Sequence, residues 1–105
     1  MLTIQELKFE TTTVLALSGR LDGQTGPSLD AVIPESGSVV LDLSDLSYVS
    51  SAGLRSILQA LKKTKSSGGS LSLCSIQQAV MKLLELSGFL SLVSTYPDRE
   101  GALNA

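Results

Sequence analysis

The sequence predicts an α/β protein whose mixed sheet of four to five strands is covered mainly on one face by three to four helices. Three observations support this fold class. Short apolar, partly β-branched runs at residues 13–17, 39–41 and 71–74 are typical of buried strands. Segments with apolar residues at helical spacing follow each run. A length of 105 residues suits one domain, residues 1–105, with a single hydrophobic core.

The first third of the chain predicts a hairpin and a short helix. Apolar residues alternate loosely over residues 2–10, which indicates an edge strand, and residues 13–17 form a second, more apolar strand close behind it. The short connection between the two strands favours an antiparallel hairpin. A helix is expected to begin near residues 25–26, with Pro27 in its first turn, and to end before Pro34.

The central stretch, residues 39–61, organises the rest of the chain. Residues 39–41 predict a buried strand, and Asp42, Ser44 and Asp45 are interpreted as the start of a connection that leaves the sheet. Asp42 is expected to fix this connection by accepting backbone N–H groups. Apolar residues then recur at the spacing of one helix face: Leu54, Ile57, Leu58 and Leu61.

Two serines stand where this central helix begins. Serine is favoured as an N-cap because its oxygen accepts a hydrogen bond from an otherwise unpaired backbone N–H. The same end of a helix tolerates a phosphate well, since the helix dipole is positive there. Gly53 allows another backbone or a bound group to approach closely. From the serines alone, the simplest interpretation is a cap at Ser50 and an ordinary first-turn residue at Ser51.

The last third predicts two further strand–helix units. A fourth strand at residues 71–74 leads to Ser75, which is predicted to cap a helix that ends at Gly88. A short fifth strand is predicted at residues 89–93. A frayed helix is predicted at residues 98–104.

Composition excludes several classes of function. Eight basic and ten acidic residues give a net charge of −2, with no basic stripe for nucleic acid and no polybasic anchor for a membrane. Cys74 is the only cysteine and there is no histidine, which excludes an internal disulfide, a Cys/His zinc site and a Ser-His-Asp triad. We therefore predict no enzymatic activity, metal or cofactor. Without a signal peptide or an apolar run of about 20 residues, the protein is expected to be cytoplasmic.

The central stretch resembles the signature of STAS domains, the family of bacterial anti-sigma factor antagonists. The segment LDLSDLSYVSSAGL, residues 41–54, is similar to the family's strand, loop and serine-containing turn into a helix. A second family marker, Gly-x-Leu-Asp, is matched by residues 19–22. The order of elements fits the family over about residues 1–95.

The resemblance implies a phosphorylation-controlled binding module. The regulatory serine of the family lies two residues before the glycine, where this chain has Ser51. Many relatives have aspartate immediately before that serine, whereas this chain has Ser50, which is therefore the alternative acceptor. The partner-binding surface implied is Asp22, Gly23, Asp45, Ser50, Ser51, Ala52, Gly53, Leu54 and Arg55. Implied partners are an anti-sigma factor or GHKL-type serine kinase and a PP2C-type phosphatase.

A second hypothesis is a constitutive STAS scaffold, or a small-ligand-binding subunit of a transport or signalling complex. It predicts binding that does not depend on phosphorylation. In either case we expect a monomer, because no long exposed apolar stripe is evident.

Overall fold

A computed structural model describes residues 1–105 and contains one mixed five-stranded sheet in the order β1-β2-β3-β4-β5. The strands are β1 (Leu2–Phe9), β2 (Thr12–Leu21), β3 (Ser38–Val49), β4 (Leu71–Cys74) and β5 (Ser94–Tyr96). The helices are α1 (Gly26–Val32), α2 (Ser51–Ser66), α3 (Gln78–Ser87) and α4 (Arg99–Leu103). β1 runs antiparallel to β2, and the other neighbouring pairs are parallel. The predicted fold class is confirmed.

Two apolar clusters of unequal size pack on the two faces of the sheet. Eighteen buried residues from the strands, from α1, α2 and α3, and from the turn after α3 form the main core on one face. A second cluster on the other face contains Val14, Val40, Cys74 and Ala102, and α4 contributes the last of these. Helices therefore cover mainly one face, as predicted, and α4 covers part of the other.

The first third of the chain follows the prediction closely. β1 and β2 form the expected hairpin, and β1 lies at an edge of the sheet. α1 begins with Gly26 and Pro27, and it ends at Val32 because Ile33 takes an extended conformation before Pro34.

The predicted connection after residues 39–41 is wrong, because β3 continues as a strand to Val49. Two irregularities in its pairing with β2 each place one extra residue on β3, the first between Asp42 and Asp45 and the second between Leu46 and Tyr48. The Ser44 N–H donates to Asp42 Oδ1 at 3.0 Å across the first bulge, so the expected backbone bond to Asp42 is present.

These bulges explain why the segment resembles a loop in sequence. A regular strand with one buried face alternates with a period of two. Each bulge adds one residue, so the buried side chains Leu43, Leu46 and Val49 recur every third residue. That spacing matches neither a regular strand nor a helix.

Two predictions in the last third are also wrong. Ser75 does not cap α3, because α3 begins at Gln78 with Gln77 at its N-cap position and has no side-chain cap. Ser75 itself has a positive φ of 56°, and its N–H donates to Tyr96 O. The run at residues 89–93 is not a strand, because Phe89–Ser91 forms a 3₁₀ turn that buries Phe89 in the main core. The fifth strand follows it. Gly88 ends α3 in the left-handed conformation, as predicted.

Candidate functional site

The candidate site lies where β3 ends and α2 begins. Ser50 is half-buried, and its Oγ accepts a hydrogen bond from the Gly53 N–H at 3.0 Å, which makes it the N-cap of α2. The Ser50 N–H donates to Leu21 O at 3.0 Å. Ser51, the first residue of α2, is exposed. The two adjacent serines therefore have different structural roles.

Gly53 fixes how closely α2 approaches the end of β2. A Cβ on this buried residue would lie 2.2 Å from Leu21 O, far inside van der Waals contact. No larger residue fits without displacing the backbone of either element. The close approach places the start of α2 directly beside the loop that follows Leu21.

That loop is held by its own aspartate. Asp22 Oδ1 accepts from the N–H of Gln24 at 3.0 Å and from the N–H of Thr25 at 3.1 Å. Donation by the Thr25 N–H is the main reason why the pKa of Asp22 lies below its ordinary value. A Cβ on Gly23 would lie 3.5 Å from Ala52 Cβ, so the loop contacts the first turn of α2.

A groove of about 240 Å³ opens beside Ser51. We call it the Ser51 groove, and it is lined by Ser51, Leu54, Arg55 and Leu58 of α2 together with Ser87, Phe89 and Leu92. Leu92 is 51% exposed at its rim. This groove could not be predicted from the sequence, because Phe89 and Leu92 lie in a run that predicts a strand and are far from α2 along the chain.

The structure brings most of the predicted partner-binding residues together. Asp22, Gly23, Ser50, Ser51, Ala52 and Gly53 meet at the junction just described. Leu54 and Arg55 continue from it into the Ser51 groove. Asp45 lies apart from the junction. It belongs to β3, where it pairs with Ser18 of β2. The rest of β3, with a rise of about 3.3 Å per residue, separates it from the junction.

The positive end of α2 and the Arg55 side chain favour an anion beside Ser51, whereas the Asp22 carboxylate at the junction opposes one. The first turn of α2 contains no acidic residue. Arg55 is exposed and forms no ion pair, since the ion pairs of the chain are Lys8–Glu6 and Arg99–Asp42. No group of three or more Cys, Asp or Glu side chains is arranged to hold a metal ion. None of the helices has the length and apolar character needed to cross a membrane.

Sequence comparison identifies two informative relatives. Over 67 residues the chain is 45% identical to BtrV of Bordetella bronchiseptica, which is assigned as an anti-sigma factor antagonist. That match covers 64% of this chain and 58% of BtrV, so it spans less than two thirds of the relative's length. The chain is also 29% identical over 96 residues to the anti-sigma F factor antagonist of Paenibacillus polymyxa, covering 86% of this chain and 82% of the relative.

Solved structures share the fold over nearly the whole chain. An anti-sigma factor antagonist from Mycobacterium paratuberculosis matches with a TM-score of 0.85 and 23% identity, covering 99% of this chain and 92% of that one. The phosphorylated form of the Bacillus cell fate determinant SpoIIAA matches with a TM-score of 0.69 and 19% identity over 97% of each chain. The STAS domain family model matches residues 4–102. This chain therefore belongs to the STAS domain family.

Proposed function

We infer that this chain is an anti-sigma factor antagonist that binds an anti-sigma factor through the surface around Ser51 and loses that partner when Ser51 is phosphorylated. The names of its relatives support the first part of this proposal. The contrast between the two adjacent serines carries the second part. A structural neighbour, SpoIIAA, has also been solved in a phosphorylated form.

Ser51 is better placed than Ser50 to accept a phosphate. Ser50 is half-buried and its Oγ already accepts the capping bond from the Gly53 N–H, so this hydroxyl is less accessible to a kinase than an exposed one. Ser51 is exposed and its side chain has no such structural task. A kinase can therefore reach and modify Ser51 without unfolding the helix.

A phosphate on Ser51 would act locally. It adds a charge of about −1.5 to −2 and a strongly hydrated group at a surface that must be desolvated for docking. The domain tolerates the charge because it sits at the positive end of α2, beside no acidic residue of the first turn. A loss of a few kcal/mol at the interface lowers the affinity roughly 10²- to 10³-fold, which is enough to exchange partners.

The proposed partners follow from the family resemblance. A GHKL-type serine kinase, often the anti-sigma factor itself, would phosphorylate Ser51 with its own ATP, and a PP2C-type phosphatase would remove the phosphate. The chain itself would be a regulatory protein and not an enzyme, because it has no histidine to act as a base near either serine.

The test is a binding and phosphorylation assay with the cognate anti-sigma factor and ATP. Ser51→Ala should bind it but gain no phosphate, and Ser51→Asp should bind poorly. Ser50→Ala is the matched control, which should still be phosphorylated on Ser51 when the product is mapped by mass spectrometry. Phosphate on Ser51→Ala would identify Ser50 or another acceptor. Tight binding without any phosphorylation would favour a constitutive scaffold.

A further inference from the structure

The Ser51 groove combines an apolar floor with one unpaired cation. Leu54, Leu58 and Phe89 supply apolar surface, and Leu92 extends it to the rim. Arg55 lines the same groove and forms no ion pair. A partner that fits this surface presents an apolar side chain next to a carboxylate, because the guanidinium would otherwise lose part of its hydration without compensation.

Arg55 and Ser51 are also neighbours on α2. Residues at positions i and i+4 of a helix have Cβ atoms roughly 6 Å apart on the same face. Both side chains line the Ser51 groove, so a phosphate on Ser51 comes within reach of the Arg55 guanidinium. Arginine binds phosphate oxygens through paired N–H donors, which makes it a strong intramolecular partner for this group.

We propose that Arg55 is the residue through which Ser51 phosphorylation closes the groove. In the unmodified protein Arg55 receives a carboxylate from an acidic segment of the anti-sigma factor, whose adjacent apolar side chain fills the groove beside Leu92. After phosphorylation the Ser51 phosphate pairs with the Arg55 guanidinium. The hydrated phosphate then occupies the mouth of the groove. This proposal rests on the function proposed above and identifies how the same site would be regulated.

The intramolecular pair is tested without any partner. Phosphoserine is placed at residue 51 by genetic code expansion, and the pKa of its second ionisation, ordinarily about 6, is followed by ³¹P NMR. Arg55→Gln should raise this pKa by about 0.5, because a nearby guanidinium favours the doubly charged phosphate. Lys63→Gln is the control, since Lys63 lies in the last turn of α2 and does not line the groove. Equal pKa values in all three proteins would overturn the pairing.

The partner's chemistry is tested with the unmodified chain and the cognate anti-sigma factor by isothermal titration calorimetry. Arg55→Gln and Leu92→Ser should each weaken binding about tenfold. Leu86→Ser is the matched control, because Leu86 is 79% exposed and lies outside the groove. Unchanged affinity of the Arg55 and Leu92 variants, with wild-type binding intact, would overturn the groove proposal alone. Absence of wild-type binding would overturn the proposed function as well.

Discussion

Asp42 and Ser51 stand in the same strand–helix segment but in opposite environments. Asp42 is 5% exposed within β3, and its Oδ2 receives Arg99 Nε at 3.1 Å and a second guanidinium nitrogen at 2.8 Å. Ser51 is exposed and stands beside an arginine that forms no ion pair. A buried polar group needs its hydrogen bonds satisfied inside the protein, so removing its partner is costly. A polar group that has no such partner and lies at a surface groove is available to bind another protein.

The Asp42–Arg99 pair also has a definite structural task. Arg99 is the first residue of α4, whose Ala102 packs on the second face of the sheet next to Cys74. The pair therefore anchors α4, a helix of only five residues, to β3 at the centre of the sheet. The Ser51 side chain, by contrast, does not connect two elements of the fold. The following predictions test this division between a structural and a regulatory polar group.

The largest effect is expected from removing the partner of Asp42. Arg99→Leu leaves a buried carboxylate without its cation and should lower the free energy of unfolding by about 2 kcal/mol, less than for a fully buried pair because the Arg99 side chain is 36% exposed. Urea unfolding followed by circular dichroism measures it. Glu6→Gln, which breaks the exposed Lys8–Glu6 pair, should cost under about 0.5 kcal/mol. Equal losses in the two variants would contradict the structural role of Asp42.

Measuring the free energy of unfolding at a series of pH values distinguishes the contribution of charge in the Asp42–Arg99 pair from that of packing. Burial alone would raise the pKa of Asp42, but the Ser44 N–H and the Arg99 guanidinium outweigh it and hold the pKa below the ordinary 3.8. A carboxyl with a lowered pKa contributes stability that is complete above its unfolded pKa and is lost as the pH falls through the folded value. The stability gap between wild type and Arg99→Leu should therefore narrow below about pH 4. A gap that stays constant down to pH 2.5 would show that packing alone is responsible.

Substitutions at the two adjacent serines should differ by a smaller amount in their effect on the free energy of unfolding. Ser50→Ala removes the N-cap of α2 and should cost about 1 kcal/mol of unfolding free energy. Ser51→Ala removes an exposed hydroxyl and should change it by less than about 0.5 kcal/mol. Both values come from the same denaturation experiment. If Ser51→Ala were the more damaging substitution, Ser51 would have a structural role that its exposure does not suggest.

Phosphorylation itself is expected to have only a small effect on the stability of the domain. A phosphate on Ser51 stands at the positive end of α2 and should stabilise the domain by about 0.3 to 1 kcal/mol at low salt. Thermal unfolding of the modified and unmodified protein measures the difference, and 1 M salt should remove most of it. A marked destabilisation would indicate that the switch acts through the fold of the domain and not through its surface.

Much of this architecture could be predicted because local chemistry agrees with the tertiary structure. Ser50 caps α2, Pro34 follows the end of α1 and Gly88 ends α3, and each of these signals acts within a few residues of sequence. The clustering of Asp22 with the start of α2 is different, because the two lie far apart along the chain and only the family resemblance implied it. The hairpin and the main strands were also recognisable from their apolar runs.

The errors arose where distant contacts override local preference. Ser75 suits an N-cap by residue type, but where its N–H pairs with Tyr96 O of β5 it has a positive φ of 56°, whereas an N-cap residue is extended. Phe89 and Leu92 belong to an apolar run that also suits a strand, yet burial of Phe89 in the core turns the chain into a 3₁₀ segment. The Ser51 groove depends on that turn, so neither the groove nor the position of Arg55 within it could be predicted from sequence.

The two bulges of β3 make the length of this strand adjustable. Deleting either Ser44 or Asp45 would restore one-to-one pairing with β2 while Leu43 and Leu46 still faced the core. Deleting Ser47 or Tyr48 would do the same for Leu46 and Val49. Single-residue gaps should therefore be tolerated here, whereas in a regular strand they reverse every side chain beyond them. Alignments of this domain with its relatives should accordingly allow single-residue gaps at these two places, even though they lie inside the central strand.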